Sequence, residues 1–311
     1  MKPTPDTCAG EFAHAMQGAL ADLPRRISPK WLYDSEGSRL FDAICALPEY
    51  YPTRTELMLL DRHGADIGRR IGPGAEIVEF GAGSLRKVRL LLDGLPAPAG
   101  FLPIDISADH LHQAAQALQR DRPSLAIRPL AADFTQALAL PPARGPRVGF
   151  FPGSSIGNFE PDEALALLQR MAGWLDGGLL IGVDLVKEPD LLHAAYNDAQ
   201  GVTARFNRNL LARANAELGA DFDLARWAHS AFYHPTLQRI EMHLVSRSDQ
   251  RVQLCGHAFD VAEGDSIHTE NSYKYTVAGF RRLAERAGFT AEAVWVDGRR
   301  WFSLHWLKAR A

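Results

Sequence analysis

The chain has 311 residues, 46% of them hydrophobic and 23% charged, with a formal net charge of -3. That is the profile of an ordinary soluble globular protein, long enough for one large domain or two modest ones, and it carries no basic footprint for nucleic acid or an anionic membrane. No apolar run approaches the roughly 20 residues of a membrane span, and Met1–Cys8 lacks the apolar core of a secretory signal, so a cytoplasmic protein is expected. Cys8, Cys45 and Cys255 lie far apart and form no C-x-x-C pair, so free thiols are expected rather than a disulfide framework or a zinc knuckle.

Phe12, Met16, Leu20 and Leu23 space a helix over residues 10–24, closed by Pro24. The stretch from Pro29 to Asp42 is aromatic and polar, with Gly37 as a break, and a helix is expected from Ser38 to Leu47 with Ser38 as N-cap. In Leu47-Pro-Glu-Tyr-Tyr-Pro-Thr-Arg-Thr-Glu56 the two prolines impose an extended turn around Tyr50 and Tyr51. Thr53 then opens a long helix to about Arg70, with Glu56 completing a capping box. Residues 1–72 precede the first strand and are expected to form a helical lid.

From Glu76 the pattern alternates. Strands read at 76–80, 101–105, 126–131, 147–152 and 178–184, and helices at 84–95, 107–121, 160–175 and near 187–196. Strands alternating with helices argue for βαβ units and a parallel sheet, and the near-continuous apolar runs fit strands covered on both faces. Residues 188–275 break the alternation. A long helix there ends near Leu218, and strands near 237–247 and 250–260 are expected to pair as a hairpin about Ser248-Asp249. A dense polar segment follows around Ser266–Tyr275. The end returns to the main domain with a helix at 276–287 and a hairpin of Ala291–Val296 with Trp301–Leu307 about Asp297-Gly298. The expected fold is therefore α/β, a Rossmann-like seven-stranded sheet of the methyltransferase kind. Residues 73–187 and 276–311 would form its core, with an N-terminal helical lid (1–72) and an inserted α+β domain (188–275).

In such a sheet the ligand-binding residues lie just past the strand C-termini. Those positions hold Gly81–Lys87, Asp105, Asp133-Phe134, Gly153–Asn158 and Asp184. Gly81-Ala-Gly83 follows an apolar strand and opens a helix, the arrangement that grips nucleotide-type ligands. A dinucleotide fingerprint would need a third glycine where Arg86 stands, which argues against a pyrophosphate and for a smaller nucleoside. Asp105, 24 positions beyond Gly81, suits a ribose diol, and Asp133-Phe134 suits an adenine. Adenosine without phosphates points to S-adenosylmethionine. His110 and His112 are two apart and do not share a helix face, so no metal is expected.

Several long segments carry a resemblance: Leu47–Glu56, Gly153-Ser-Ser-Ile-Gly-Asn158, Asp184-Leu-Val-Lys187, Tyr196–Asn209 and Ile240-Glu-Met242. With them the chain resembles the histidine N-alpha-methyltransferases of ergothioneine biosynthesis, from about Pro29 to its end. The resemblance implies S-adenosylmethionine as cofactor, S-adenosylhomocysteine as product, and trimethylation of the alpha-amine of L-histidine to hercynine. A monomer is expected, because the sequence shows no spare amphipathic helix. The resemblance also implies cofactor contacts at Tyr33, Gly81, Lys87, Asp105, Asp133 and Phe134, and substrate contacts at Tyr50, Asn158, Tyr196, Met242, Glu270 and Ser272. Within these, Asn158 and Tyr196 would grip the alpha-carboxylate, Glu270 and Ser272 would take the imidazole, and Tyr50, the catalytic candidate, would sit near the amine. By pattern alone Met242 is a core residue between Ile240 and Leu244, and Lys87 is equally a solvated helix lysine. A methyltransferase for another amino acid or amine, and a non-catalytic adenosine-binding protein, are the alternative classes.

Overall fold

The computed structural model describes residues 8–310. The elements in chain order are α1 (Glu11–Ala21), α2 (Ser35–Cys45), α3 (Tyr51–Ile71), β1 (Glu76–Phe80), α4 (Arg86–Asp93), β2 (Gly100–Asp105), α5 (Ala108–Asp121), β3 (Leu130–Ala131), β4 (Arg147–Phe151), α6 (Pro161–Trp174) and β5 (Gly178–Asp184). After them come α7 (Pro189–Tyr196), α8 (Val202–Leu218), β6 (Trp227–His234), β7 (Arg239–Ser246), β8 (Gln250–Leu254), β9 (His257–Val261), β10 (Ser266–Tyr273), α9 (Val277–Arg286), β11 (Phe289–Val296) and β12 (Phe302–Ala309). The chain divides into two compact units. A sheet unit takes Tyr51–Glu188 and Ser272–Ala311, and an α+β unit takes the N-terminal stretch to Tyr50 with Pro189–Asn271.

In the sheet unit seven strands run in the order β3-β2-β1-β4-β5-β12-β11. β1 pairs in parallel with both β2 and β4, β4 pairs in parallel with β5, and β12 runs antiparallel to β5 and β11. Five parallel strands closed by an antiparallel hairpin are what the sequence pattern implies. Successive residues of a strand point to opposite faces. Accordingly Ile77, Phe101, Val148 and Leu180 enter a core with Leu59, Val88 and Leu111, while Val78, Leu102, Phe151 and Ile181 enter another with Leu167, Met171 and Phe280. The strand order reverses between β1 and β4, and a crevice opens at the strand C-termini at such a switch point.

The α+β unit holds the three-stranded sheet β10-β7-β6 and the two-stranded β8-β9. The buried face of α8 carries Phe206, Leu210, Leu211 and Ala214. From the same helix Asn209 donates to Asp34 Oδ1 at 2.8 Å and Arg213 to the Trp31 carbonyl at 3.0 Å. The Arg213 guanidinium also lies 4.3 Å above the Phe12 ring. Among the described residues no helix is long and apolar enough to cross a membrane.

Several local expectations are corrected. α2 starts at Ser35 rather than Ser38, and its N-cap is Asp34, whose Oδ1 accepts the Gly37 N–H at 2.7 Å. Gly37 does not break the chain: a Cβ there would lie 1.8 Å from the Leu32 carbonyl oxygen, so glycine serves a close approach inside the helix. Glu56 forms no capping box, because its buried carboxylate accepts the Gly153 N–H and pairs with Lys87. α3 belongs to the sheet unit, so the stretch up to residue 72 is not one body. The expected strand at 126–131 shrinks to Leu130–Ala131 plus a bridge at Ile127, since Pro129 cannot donate to a ladder.

The expected hairpin about Ser248-Asp249 does not form. β7 pairs with β6 and β10, whereas β8 pairs with β9 through Cys255-Gly256. That two-residue turn needs positive φ at both positions, which Cys255 (48°) and Gly256 (79°) adopt. Cys8 and Cys255 form a disulfide with their Cα atoms 5.6 Å apart, against the expectation of free thiols, and Cys45 is free. A separation of 247 residues hides such a pair from any spacing rule.

Candidate functional site

The glycine turn after β1 has φ of +70° at Gly81 and +50° at Gly83. Asp105, ending β2, accepts the Gly83 N–H through Oδ2 at 3.0 Å and the Ser107 N–H through Oδ1 at 2.9 Å. The acid and the glycine turn, bonded across 22 positions of sequence, are thus directly joined. A Cβ on Gly81 would stand 3.6 Å from the Phe134 ring, and that ring meets Phe80 and Phe151 edge-on at 6.2 and 5.6 Å. Asp133 Oδ1 accepts the Thr135 N–H at 2.9 Å and its hydroxyl at 2.5 Å. Lys87 is no solvated lysine: its Nζ lies 2.8 Å from Glu56 Oε2.

Glu79, beside this turn in β1, is buried with Oε2 unpartnered. Burial pushes its pKa well above the ordinary carboxylate value. Lys87 pulls it down, and the negative charges of Asp105 and Glu56 add to the rise. The side chain thus keeps one buried carboxyl oxygen without a hydrogen-bond partner close to this turn. A permissive glycine turn, an acid at the end of the next strand, an aromatic ring beside the turn and an orphaned buried oxygen suit an adenosyl amino acid.

After β4 the chain turns through Ser154, whose φ of 58° lies in the left-handed region. The Ser154 hydroxyl accepts the Asp184 N–H at 2.9 Å, which holds this strained residue in place. The short 3-10 turn Ser155–Asn158 follows, and a Cβ on its Gly157 would lie 2.7 Å from the Tyr273 carbonyl. Asn158 is thereby pinned beside β10. Asp184 is a hub at the end of β5. Its carboxylate accepts the Tyr51 hydroxyl at 2.7 and 2.9 Å, the Lys187 ammonium, and Lys274 Nζ at 2.8 Å. Burial acts to raise its pKa, but the two ammonium groups outweigh that and hold it below the ordinary range. Lys187, desolvated by the same burial, is lowered to about 8 despite Asp184. Lys274 Nζ also donates to Ser272 Oγ at 2.7 Å.

The α+β unit gathers the remaining candidates. Tyr33 meets Phe41 and Phe206 edge-on, and those two rings tilt against each other, with centroids 5.4 to 6.0 Å apart. Phe41 continues to Tyr50 and Tyr50 to Tyr196, each at 6.3 Å. The Tyr50 phenol is pushed well above its ordinary pKa by burial first and then by Tyr196, Cys45, Tyr33 and Glu270, so it stays protonated. Asn207 of α8 was not singled out from the sequence, yet it ties this group together. Its amide donates to His229 Nδ1 and to the His243 carbonyl, both at 3.0 Å, and its oxygen accepts the Thr269 hydroxyl at 2.7 Å. With Nδ1 accepting, His229 donates from Nε2 to the Tyr196 carbonyl at 2.9 Å. Thr269 also reaches the Met242 carbonyl at 3.1 Å. Met242 itself is buried between Ile240 and Leu244 on β7, a core position as its alternation implies. Glu270 follows Thr269 on β10 and is buried.

Glu241, His243 and His268 also place three candidate metal-ligating atoms within 4.8 Å of one another. The two imidazoles stack at 4.6 Å and 12°, so their in-plane lone pairs run parallel rather than converging. Arg239 holds Glu241 Oε1 at 2.6 to 2.8 Å and His243 holds Oε2 at 3.0 Å. His268 Nε2 in turn lies 3.1 Å from the Glu270 carbonyl, so this is a stacked ion-pair cluster with most of its ring nitrogens engaged.

The sequence profile described as "Histidine-specific methyltransferase, SAM-dependent" matches residues 12–309. The chain is 38% identical over 299 residues to a histidine N-alpha-methyltransferase of Mycolicibacterium smegmatis, covering 94% of this chain and 93% of that protein. It is 30% identical over 308 residues to ergothioneine biosynthesis protein 1 of Neurospora crassa, covering 92% of this chain and 33% of that protein. A solved structure from Bordetella parapertussis, described as a possible exported protein, matches with a TM-score of 0.53 at 13% identity over 96% of this chain and 87% of that one, a likeness of fold alone. With a family match spanning both units and a relative matched over nearly its whole length, the chain belongs to the S-adenosylmethionine-dependent, histidine-specific methyltransferases.

Proposed function

We propose that this protein transfers methyl groups from S-adenosylmethionine to the alpha-amine of L-histidine, three in succession, giving hercynine in the first step of ergothioneine biosynthesis. The observation that carries the reading is the 38% identity to a histidine N-alpha-methyltransferase over 93% of that protein's length. The cofactor residues are Tyr33, Gly81, Lys87, Asp105, Asp133 and Phe134, and the substrate residues are Tyr50, Asn158, Tyr196, Met242, Glu270 and Ser272. Bound there, S-adenosylmethionine supplies a methyl on a positively charged sulfur to an attacking amine.

The chain's own residues have to bind the amine unprotonated, align it and keep bulk water from the methyl group. Tyr50 suits the alignment: its buried phenol keeps its proton, so it orients the amine as a hydrogen-bonding group, and the amine proton leaves to water. Lys87 and Glu56 hold the turn after β4 through the Gly153 N–H, at the start of the segment that leads to Asn158. Glu270 accepts from an imidazole N–H, a contact that apolar rings cannot make, so leaving this carboxylate unpaired penalises them. Incubation with S-adenosylmethionine and histidine, followed by mass spectrometry, tests the reading: mono-, di- and trimethylated histidine are expected in succession. No methylated histidine, with another amine methylated in its place, would overturn it.

A further inference from the structure

We propose that Glu56 is a positioning residue for the cofactor: its carboxylate, seated in the space left by Gly182, holds the Lys87 ammonium for the amino-acid end of S-adenosylmethionine. This rests on the functional reading above, in which Lys87 contacts the cofactor, and deepens it. Glu56 lies on the face of α3 that carries Leu59, Leu60 and Ile67 into the core, so an acid stands where the helical spacing calls for an apolar residue. It is 0% exposed. A charge so placed persists only when it is paired and hydrogen-bonded. Glu56 Oε2 lies 2.8 Å from Lys87 Nζ, and the two carboxylate oxygens accept the Gly153 N–H at 2.9 and 3.1 Å.

Room for the carboxylate comes from β5. A Cβ on Gly182 would stand 2.0 Å from Glu56 Oε1, so the acid occupies the volume that an ordinary strand residue would fill. A Cβ on Gly153 would stand 3.1 Å from Lys87 Nζ, so the turn after β4 closes on the ammonium as well. The ion pair fits because neither glycine carries a side chain. Lys87 sits in the first turn of α4, which begins at Arg86. A cation there is opposed by the positive end of the helix dipole, and Glu56 supplies the negative charge that keeps it in place. The other acids of this corner are Asp105, which accepts the Gly83 and Ser107 N–H groups, and buried Glu79. The one anionic group of an adenosyl amino acid is its carboxylate. An ammonium fixed beside the glycine turn attracts that carboxylate as a compact point charge.

The test is calorimetric titration of full-length protein with S-adenosylhomocysteine and with methylthioadenosine, which shares the adenosine and the sulfur but has no carboxylate. Wild type is compared with Glu56→Gln, Lys87→Met, the double variant and Gly182→Ala. The glutamine keeps an acceptor for the Gly153 N–H and gives up the charge. Glu56→Gln is expected to bind S-adenosylhomocysteine about tenfold more weakly and methylthioadenosine within about twofold of wild type. The double variant is no worse than Lys87→Met, because Glu56 acts through that ammonium. Gly182→Ala displaces the carboxylate without removing its charge and reproduces the selective loss. In turnover Glu56→Gln raises KM for S-adenosylmethionine by a similar factor and leaves kcat at saturation within about twofold. Equal weakening of both nucleosides means general distortion of the site and overturns the proposal. Multiplying effects in the double variant overturn it too, and so does wild-type affinity for S-adenosylhomocysteine in Glu56→Gln. If Glu56→Gln does not fold, Gly182→Ala decides by the same pair of titrations. Wild-type protein that binds neither nucleoside overturns the functional reading itself, whereas tight wild-type binding with no selective loss in the variants overturns only this inference.

Discussion

The sheet unit and the α+β unit carry their chemistry in different ways. In the sheet unit the candidate groups hang on strand ends: Gly81 after β1, Asp105 ending β2, Asp184 ending β5. Their placement follows from topology, and any chain with this strand order gathers its strand C-termini along one edge. In the α+β unit nothing so general applies. Tyr50, Tyr196, Met242 and Glu270 come from a turn, a helix end and two strands, and polar side chains such as buried Asn207 and half-buried His229 bond among their neighbours. One region repeats a common solution, and the other gathers its candidate groups through contacts of its own. Substitutions should separate the two.

The largest effect is expected at Glu270. Glu270→Ala removes a charged acceptor worth about 1.5–3 kcal/mol, so preference for histidine over tryptophan and phenylalanine should drop roughly 10- to 100-fold in competition assays, while S-adenosylhomocysteine affinity holds. An unchanged preference would remove Glu270 from the substrate side of the comparison. Asn207→Ala leaves the Thr269 hydroxyl and the His243 carbonyl without their buried partner. A loss of about 2–4 kcal/mol in denaturant unfolding is expected, and a neutral result would show that Asn207 holds nothing together. Asp105→Ala strips the Gly83 N–H of its acceptor and should weaken S-adenosylhomocysteine about tenfold in titration calorimetry. If histidine selectivity changes in step, the division of labour between the units is wrong.

The smallest effect concerns acid stability. His305 in the sheet unit is pushed down to about 3 by burial first and then by Arg281. His268 in the α+β unit is pushed down to about 4 by burial and then by His243. Between about pH 6.5, the ordinary histidine value, and these folded values the unfolded chain binds more protons than the folded one. Stability is then fully present above about 6.5 and is lost as pH falls through that window. His305→Leu should flatten the fall of melting temperature between pH 7 and pH 4.5, leaving the His268 share. An unchanged slope would mean that His305 does not set the acid limit.

Much of the sheet unit was legible because each strand is a short apolar run ended by glycine or an acid. Where that reading slipped, the cause is identifiable. Glu56 looks like a capping acid from its position four residues into a helix, but the fold brings Gly153 and Lys87 to it. In the α+β unit β6 went unseen because Trp227–His234 alternates weakly and six of its eight positions are only partly buried. The hairpin was placed at Ser248-Asp249 because the local rule does not know which strand will lie alongside β7. Glu270 and Ser272 entered through a family resemblance, since a polar stretch with two acceptors two residues apart has no distinguishing spacing of its own.

By itself the sequence determined the alternation of strands and helices, the glycine turn with Asp105 one strand further on, and thereby the reaction class. These depend on local periodicity and backbone freedom, which a chain writes residue by residue. Only the tertiary structure decided that Asp184 anchors Tyr51, Lys187 and Lys274, that Asn207 joins α8 to β7 and β10, and that Cys8 meets Cys255. Those pairings span from three to 247 positions. A buried polar group must find its partner wherever packing delivers one, because leaving it unmatched costs more than the bond returns.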